Sequence, residues 1–186
     1  RASSRRANFL AAEGRRLAES LDEETTLQSM ASLTMPQAAA WCIVDLVHAD
    51  GSMHRLAIVH PDPAKRALLH WLQGRWMPAP EDAFGAPAVV RDMRSIVVHD
   101  VDRALAAAVH DADMLRILRA VGFGTMLTVP LLVHERPVGA LTFVSAHPEQ
   151  AYAPADIALA EELATRSALA LDSARLHPEA AGLSRE

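Results

Sequence analysis

Two apolar segments separated by four residues constrain the fold of this chain more than any other feature. Residues 125–133 and 138–145 are rich in β-branched and large apolar side chains, and the four residues 134–137 connect them. This pattern predicts a β-hairpin, whose strands pair antiparallel. A helix is predicted soon after it, at residues 154–176, because Pro154 suits a first helical turn and Asp156 favours the helix dipole.

The rest of the chain supplies a second hairpin and several helices. Residues 41–60 predict this hairpin, because apolar runs at 41–48 and 56–60 flank the turn signal Asp50-Gly51. The other predicted elements are helices at 8–21, 22–35, 63–75, 88–93 and 111–121, a helical turn at 102–110 and a strand at 96–99. Hairpins with helices at both ends predict an α+β fold with a central antiparallel sheet.

Composition excludes several classes of protein. The length of 186 residues predicts one domain, and the single cysteine, Cys42, excludes an internal disulfide framework. A net charge of −5 argues against a nucleic-acid surface. Apolar runs fall short of the roughly 20 residues of a membrane span. Because the chain begins with Arg1, we expect it to be a piece of a longer protein.

The sequence carries no pattern typical of catalysis or metal binding. No two of the nine histidines have the helical spacing of a zinc pair, and no glycine-rich phosphate loop occurs. The carboxylates Asp111 and Asp113 suit a helix start. Cys42 lies in an apolar strand, where a free thiol behaves as a small buried hydrophobe. We therefore expect neither a metal nor a catalytic residue, and no cofactor is required.

Two polar residues interrupt otherwise apolar strands. Asp45 shares a strand face with Ile43, and Thr142 shares a face with Ala140 and Val144, because successive side chains alternate. A buried polar group needs a hydrogen-bond partner, which a backbone group, a water or a ligand can supply. A one-residue slip in register would turn both to the opposite face.

The final helix contains a heptad seam. Its members recur at spacings of 3, 4, 3, 4 and 3 and are Ile157, Ala160, Ala164, Ser167, Leu171 and Ala174. A second stripe contains Leu159, Leu163 and Ala170. If one stripe packs on the sheet and the other meets a partner helix, the chain dimerises through this helix, and the seam is the predicted dimer contact. In the alternative, both stripes pack within the chain, against residues 8–35.

These segments together resemble a known family, the GAF domains. The resemblance rests on TVPLLVHERPVGALTFVSA followed by YAPADIALAEELATRSALALDSARL, and it extends upstream through FLAAEGRRLAESLDEETTL and PQAAAWCIVDLVHADGSMHRLAIVHPDP. It covers about residues 8–176. It implies a five- or six-stranded antiparallel sheet, with terminal helices on one face and middle helices and loops that roof a pocket on the other. It also implies an N-terminal signalling helix at 1–21, the GAF domain at 22–176 and a linker tail at 177–186.

The resemblance further implies a non-catalytic sensory domain in the cytoplasm. Its expected partners are adjacent PAS and histidine-kinase or serine/threonine-phosphatase domains, a second copy of the chain bound through the N- and C-terminal helices, and an unidentified small molecule. By position, the pocket floor is Ile43, Asp45 and Thr142, with His60 nearby; the roof is Phe84, Gly85, Ala86, Met114, Leu115 and Leu118, and Trp76 with Trp71 closes the side. In the competing interpretation, Met114, Leu118 and Met126 fill this space as core and leave no cavity.

Two other functions within this family stay open from sequence. A haem or chromophore sensor would use one of the histidines near the roof, which are His60, His70, His99 and His110. A sulfoxide-reductase-type enzyme is disfavoured, because that chemistry resolves an oxidised cysteine with a second one and only Cys42 is present. The dispersed signature of cyclic-nucleotide-binding members is not found.

Overall fold

The computed structural model describes residues 40–176, with side chains up to Asp172. The predicted helices at 8–21 and 22–35 and the tail at 177–186 lie outside the described residues. The strands are β1 (Trp41–Val47), β2 (Met53–Val59), β3 (Ile96–Val98), β4 (Thr125–Val133) and β5 (Arg136–Ser145). The helices are α1 (Pro63–Leu72), α2 (Gly85–Asp92), α3 (Val101–Ala108), α4 (Ala112–Val121) and α5 (Pro154–Leu176).

The strands form one antiparallel sheet in the order β2-β1-β5-β4-β3. Both predicted hairpins are present, and β1 and β5 pair at the centre. The connection between β4 and β5 is shorter than predicted, because β5 begins at Arg136. The turn residues are His134 and Glu135, with φ angles of 48° and 60°. Two consecutive left-handed residues are the geometry of a tight type I′ turn, which matches the twist of the flanking strands.

Strand β2 contains a bulge that sequence patterning did not reveal. Val44 pairs with Ala57 and Asp45 pairs with Arg55, so Leu56 is the extra residue. Leu56 and Ala57 both pack towards the same core cluster, as the two residues of a bulge do. The bulge turns Arg55 to the opposite face of the sheet. Strand β2 begins at Met53 rather than at the predicted Leu56.

The two faces of the sheet bury separate apolar clusters. Helix α5 packs on one face, over residues such as Phe143 and Leu127. The other face carries Ile43, Met126 and Val144 beneath helices α1, α3 and α4. This layering confirms the predicted α+β fold with a five-stranded sheet. No helix within residues 40–176 is both long enough and apolar enough to cross a membrane.

The helices over the second face begin at local capping signals. Asp62, Asp100 and Asp111 each accept a hydrogen bond from a backbone N–H in the first turn of α1, α3 and α4. Helix α2 begins at Gly85, three residues before the predicted start. Pro87 lies in the first turn of this helix, where a missing N–H costs no intrahelical hydrogen bond.

Candidate functional site

A small cavity lies between the sheet and the helices over its second face. This inner cavity measures about 40 Å³, which is room for at most about three waters or about two carbon atoms. Most of its lining is apolar. The lining residues are Ile43, Asp45, Arg55, Leu69, Leu72, Trp76, Met77, Pro78, Phe84, Gly85, Ala86, Val101, Leu105, Leu118, Phe123, Met126 and Thr142.

An ion pair between Asp45 and Arg55 is the main polar feature of the inner cavity. The Nε of Arg55 donates to Oδ1 of Asp45 at 3.0 Å, and the side chains are 11% and 3% exposed. Neighbouring strands hold the pair in register, because the bulge brings Arg55 opposite Asp45. Burial raises the pKa of Asp45, and the charge and hydrogen bond of Arg55 oppose that rise.

Two threonines supply a second polar contact at the floor. Thr142 on β5 lies opposite Thr128 on β4, and their hydroxyl oxygens are 3.2 Å apart. Both side chains are buried. Each hydroxyl therefore has a partner, and only Thr142 of the two lines the inner cavity.

The roof is a loop folded onto the start of α2. Trp76, Met77 and Pro78 come from this loop, and Gly85 has a φ of 80°. A Cβ at Gly85 would lie 2.7 Å from Cγ of Pro78, so only glycine allows this approach. The Arg91 side chain of α2 also donates to the Pro80 carbonyl. These contacts fix the roof over the sheet.

Most of the residues predicted for the pocket come together here. Those that line the inner cavity are Ile43, Asp45, Trp76, Phe84, Gly85, Ala86, Leu118 and Thr142. A cavity is therefore present, although Leu118 and Met126 also belong to the core cluster around it. Whether these residues bind a ligand stays a prediction.

Four of the predicted residues lie elsewhere. Met114 and Leu115 pack on the outside of the core cluster, because the turn of α4 that reaches the cavity is the one at Leu118. His60 is buried beside Trp41, with ring centroids 5.2 Å apart, and its Nδ1 accepts from the Asp62 N–H. Burial and the charge of Lys65 lower the pKa of His60. Trp71 is 44% exposed.

Sequence reasoning missed Arg55 and the apolar wall from α1 and α3. Arg55 falls before the predicted strand, and nothing in the pattern announces the bulge that turns it inward. From sequence, only the apolar faces of two helices could be predicted, and these faces contain Leu69, Leu72, Val101 and Leu105. The helical period was the one signal that could have found them.

The nucleophile and metal-ligand candidates lie away from the inner cavity. Cys42 is buried on the opposite face, in the cluster beneath α5. Burial raises the pKa of its thiol to about 12. His99 and His110 are exposed, and no histidine of the described chain lines the inner cavity. Residues 40–176 contain no group of three or more His, Cys, Asp or Glu side chains placed to hold a metal ion.

The predicted heptad seam of α5 faces the sheet of its own chain. Ala160, Ala164, Ser167 and Leu171 are buried there, and Ile157 packs at the edge of the same cluster. Ala174 lies beyond the described side chains. The exposed side of α5 carries Leu159 and Leu169, which are 36% and 55% exposed. The sheet thus occupies the seam that was predicted for the dimer, and a partner helix would have to meet this other side.

Comparisons with known proteins identify the architecture. The family model of the GAF domain matches residues 22–171. The comparison with curated proteins finds no match.

Solved structures with low sequence identity share the fold. A domain described as that of a two-component sensor histidine kinase from Sinorhizobium meliloti has 14% identity and a TM-score of 0.57, over 86% of this chain and 94% of that one. The second GAF domain of DevS from Mycobacterium smegmatis has 14% identity and a TM-score of 0.59, over 85% and 96%. A type II free methionine-R-sulfoxide reductase from Thermoplasma acidophilum has 12% identity and a TM-score of 0.54, over 86% and 96%.

Proposed function

The chain belongs to the GAF domain family, and we propose on that premise that it is a non-catalytic regulatory domain that binds a small molecule in the inner cavity. The observation that carries this proposal is the Asp45–Arg55 ion pair inside a largely apolar cavity. A few convergent polar groups in an apolar pocket are the usual composition of a ligand site.

A buried ion pair is poorly explained by stability alone. Replacing such a pair with well-packed apolar residues is often neutral or stabilising, because desolvation offsets the attraction between the charges. Here the pair uses one N–H of Arg55 and one oxygen of Asp45, which leaves further donors and acceptors beside the inner cavity. Those unused donors and acceptors can bind and orient a ligand, which then takes the place of water molecules.

The sheet offers a mechanical route from the inner cavity to α5. Thr142 lies at the cavity floor on β5, and its neighbours Leu141 and Phe143 point into the cluster beneath α5. A ligand that favours one position of β5 would therefore bias the packing of α5. In our proposal this shift reaches a PAS, kinase or phosphatase domain of a longer cytoplasmic protein, through helices that dimerise.

The cysteine chemistry favours regulation over catalysis. A neighbour in fold is described as a methionine-sulfoxide reductase. In this chain the single Cys42 is buried on the far side of the sheet from the inner cavity, and burial raises its thiol pKa to about 12. A thiol attacks as its thiolate, so this one is inert at neutral pH. The same position offers no attachment point for a chromophore in the cavity.

Ligand-observed NMR with a cavity-filling variant tests the proposal. The 186-residue chain is screened against the smallest alcohols, amides, carboxylates and amines, of about two to four heavy atoms, because the cavity is small. Ala86 lines the inner cavity, so Ala86→Leu adds three carbons to a space of about 40 Å³. Ala67 is exposed on α1, so Ala67→Leu is the matched control.

We expect saturation-transfer signals from several fragments with the wild type and with Ala67→Leu, and their loss with Ala86→Leu. Circular dichroism checks that both variants remain folded. Fragments that bind Ala86→Leu as well as they bind the wild type would move the site away from the inner cavity. A wild type that binds no fragment would refute ligand binding by this cavity.

A further inference from the structure

A second, larger space lies directly outside the inner cavity. This outer groove measures about 460 Å³ and is lined by Met53, His54, Arg55, Gln73, Gly74, Arg75, Trp76 and Met77. Arg55, Trp76 and Met77 line both spaces, so the two meet at these three side chains. The Gln73 side chain donates to the Arg55 carbonyl at 2.8 Å and fixes the end of α1 against β2. A molecule that occupies both spaces has to pass between these three side chains.

The two spaces differ in charge. The outer groove is lined by two arginines, Arg55 and Arg75, by His54, and by no acidic residue. The inner cavity adds one carboxylate, Asp45, to the Arg55 that it shares. Counting the two arginines against Asp45 leaves one guanidinium without a carboxylate, and it belongs to Arg75 in the outer groove.

Both arginines have donors to spare. Arg55 uses its Nε on Asp45, and both of its Nη groups lack an acceptor within the described residues. Arg75 donates from one Nη to the Trp71 carbonyl at 2.6 Å, and its guanidinium carbon lies 4.7 Å from the centroid of the Trp71 ring. Trp71 thus holds the Arg75 guanidinium in position, and the remaining donors of both arginines are available to an anion.

We infer that the ligand class of this site is a small amphipathic carboxylate, with its head in the outer groove at Arg75 and Arg55 and its apolar end in the inner cavity. The inference rests on the proposed function and adds the chemistry of the ligand. A single negative charge matches the one uncompensated guanidinium, whereas a phosphate dianion exceeds it and an ammonium head faces two positive groups. The inner cavity takes only the tip of the apolar chain, about one or two carbons, because a cavity of about 150 Å³ is needed for the six carbons of benzene.

Three probes with the same carbon chain separate charge from shape. Hexanoate, hexanol and hexylamine are each titrated into the full 186-residue chain by isothermal calorimetry at low salt. We expect hexanoate to bind about tenfold tighter than hexanol, because hydrogen bonds to charged groups are the stronger ones. Hexylamine binds weakest. Hexanoate affinity falls as salt is raised, and Ala86→Leu abolishes it because the apolar end loses its space.

An arginine pair supplies the matched variants. Arg75→Gln removes the charge from the outer groove, and Arg66→Gln removes an exposed charge from α1 outside it. Arg75→Gln should weaken hexanoate by about fivefold, the upper range for an exposed ion pair, and leave hexanol unchanged within twofold. Arg66→Gln should change neither.

The outcomes distinguish this inference from the proposed function. Hexanol that binds as tightly as hexanoate, or equal effects of Arg75→Gln and Arg66→Gln, overturns the carboxylate class while ligand binding in the inner cavity stands. Binding of hexanoate that persists in Ala86→Leu also overturns it, because the head group alone would then suffice. If no probe of any charge binds, both proposals fail.

Discussion

Asp45 lies where its own charge is disfavoured. Its side chain is 3% exposed, and burial raises its pKa above the ordinary value for an aspartate. The guanidinium of Arg55 opposes that shift from 3.0 Å away. The stability of the chain therefore depends on keeping this one partner in place, because removing it leaves a charge in an apolar cavity.

Replacing Arg55 with methionine should make stability depend on pH. At pH 7 the variant leaves a buried carboxylate unpaired, so we expect a loss of about 3–5 kcal/mol in the free energy of unfolding. The folded-state pKa of Asp45 then rises further above its unfolded value. A group with a raised pKa stabilises the fold at low pH and loses that contribution as pH rises through the folded pKa. The deficit of the variant in the free energy of unfolding, relative to wild type, should therefore shrink as the pH falls from 7 to 5.

Urea denaturation at pH 7, 6 and 5 measures this dependence. The double variant Asp45→Asn, Arg55→Met lacks the carboxylate and is the control, because its stability relative to wild type should vary much less with pH. A deficit for Arg55→Met that is as large at pH 5 as at pH 7 would show that lost packing, rather than a stranded charge, destabilises the variant.

Some residues of the inner cavity could be predicted from the sequence, whereas others are identified only in the folded structure. Asp45 and Thr142 could be predicted, because a polar side chain in an apolar strand must face something that satisfies it. Arg55 could not, since its orientation depends on one extra residue in β2. A bulge reverses the sheet face of every residue on its N-terminal side. The alternation of apolar and polar residues in the sequence does not show where this reversal occurs.

The turn between β4 and β5 carries backbone strain that can be relieved. His134 and Glu135 have φ angles of 48° and 60°, a region that costs an L-residue with a Cβ about 1–2 kcal/mol. The double change His134→Asn, Glu135→Gly supplies the residues that this turn prefers. We expect the free energy of unfolding to rise by about 1 kcal/mol, measured by urea denaturation.

The control for the turn keeps the strain. Glu135→Ala removes the side chain but retains a Cβ at the same positive φ, so its stability should stay close to that of the wild type. If Glu135→Ala stabilises as much as the Asn-Gly pair does, the effect comes from the glutamate side chain and the backbone argument fails.

Whole elements were predictable where their signal is local. The strands follow apolar runs bounded by turn residues, and α1, α3 and α4 follow Asp caps. Helix α2 was misplaced because Pro87 reads as a breaker unless it lies in a first turn. The seam of α5 shows a different limit. Spacing identifies an apolar stripe, but it does not say whether a sheet or a partner helix covers it.

At the scale of the molecule, the sheet separates the inner cavity from α5, the proposed ligand site from the proposed output helix. The inner cavity lies over one face, and α5 lies over the other. Strand β5 contributes to both faces, because Thr142 faces the inner cavity and Phe143 faces α5. Closely packed side chains transmit small displacements, because few voids exist to absorb them. The arrangement suits a domain that converts occupancy on one face into helix movement on the other.

The exposed side of α5 is the surface on which the proposed dimer can be tested. Leu169 is 55% exposed and Ala164 is 1% exposed, so charges at these two positions should have different effects. Leu169→Glu should leave the circular dichroism unchanged and weaken the dimer by roughly 100-fold in sedimentation, because a symmetric interface loses two buried leucines. Ala164→Glu should unfold the chain, since it buries a charge against the sheet. Ala67→Glu adds the same charge to the exposed face of α1 and should change neither property. A Leu169→Glu variant that sediments as the wild-type dimer would mean that the copies associate through another surface, and the relay through α5 would then have to operate within one chain.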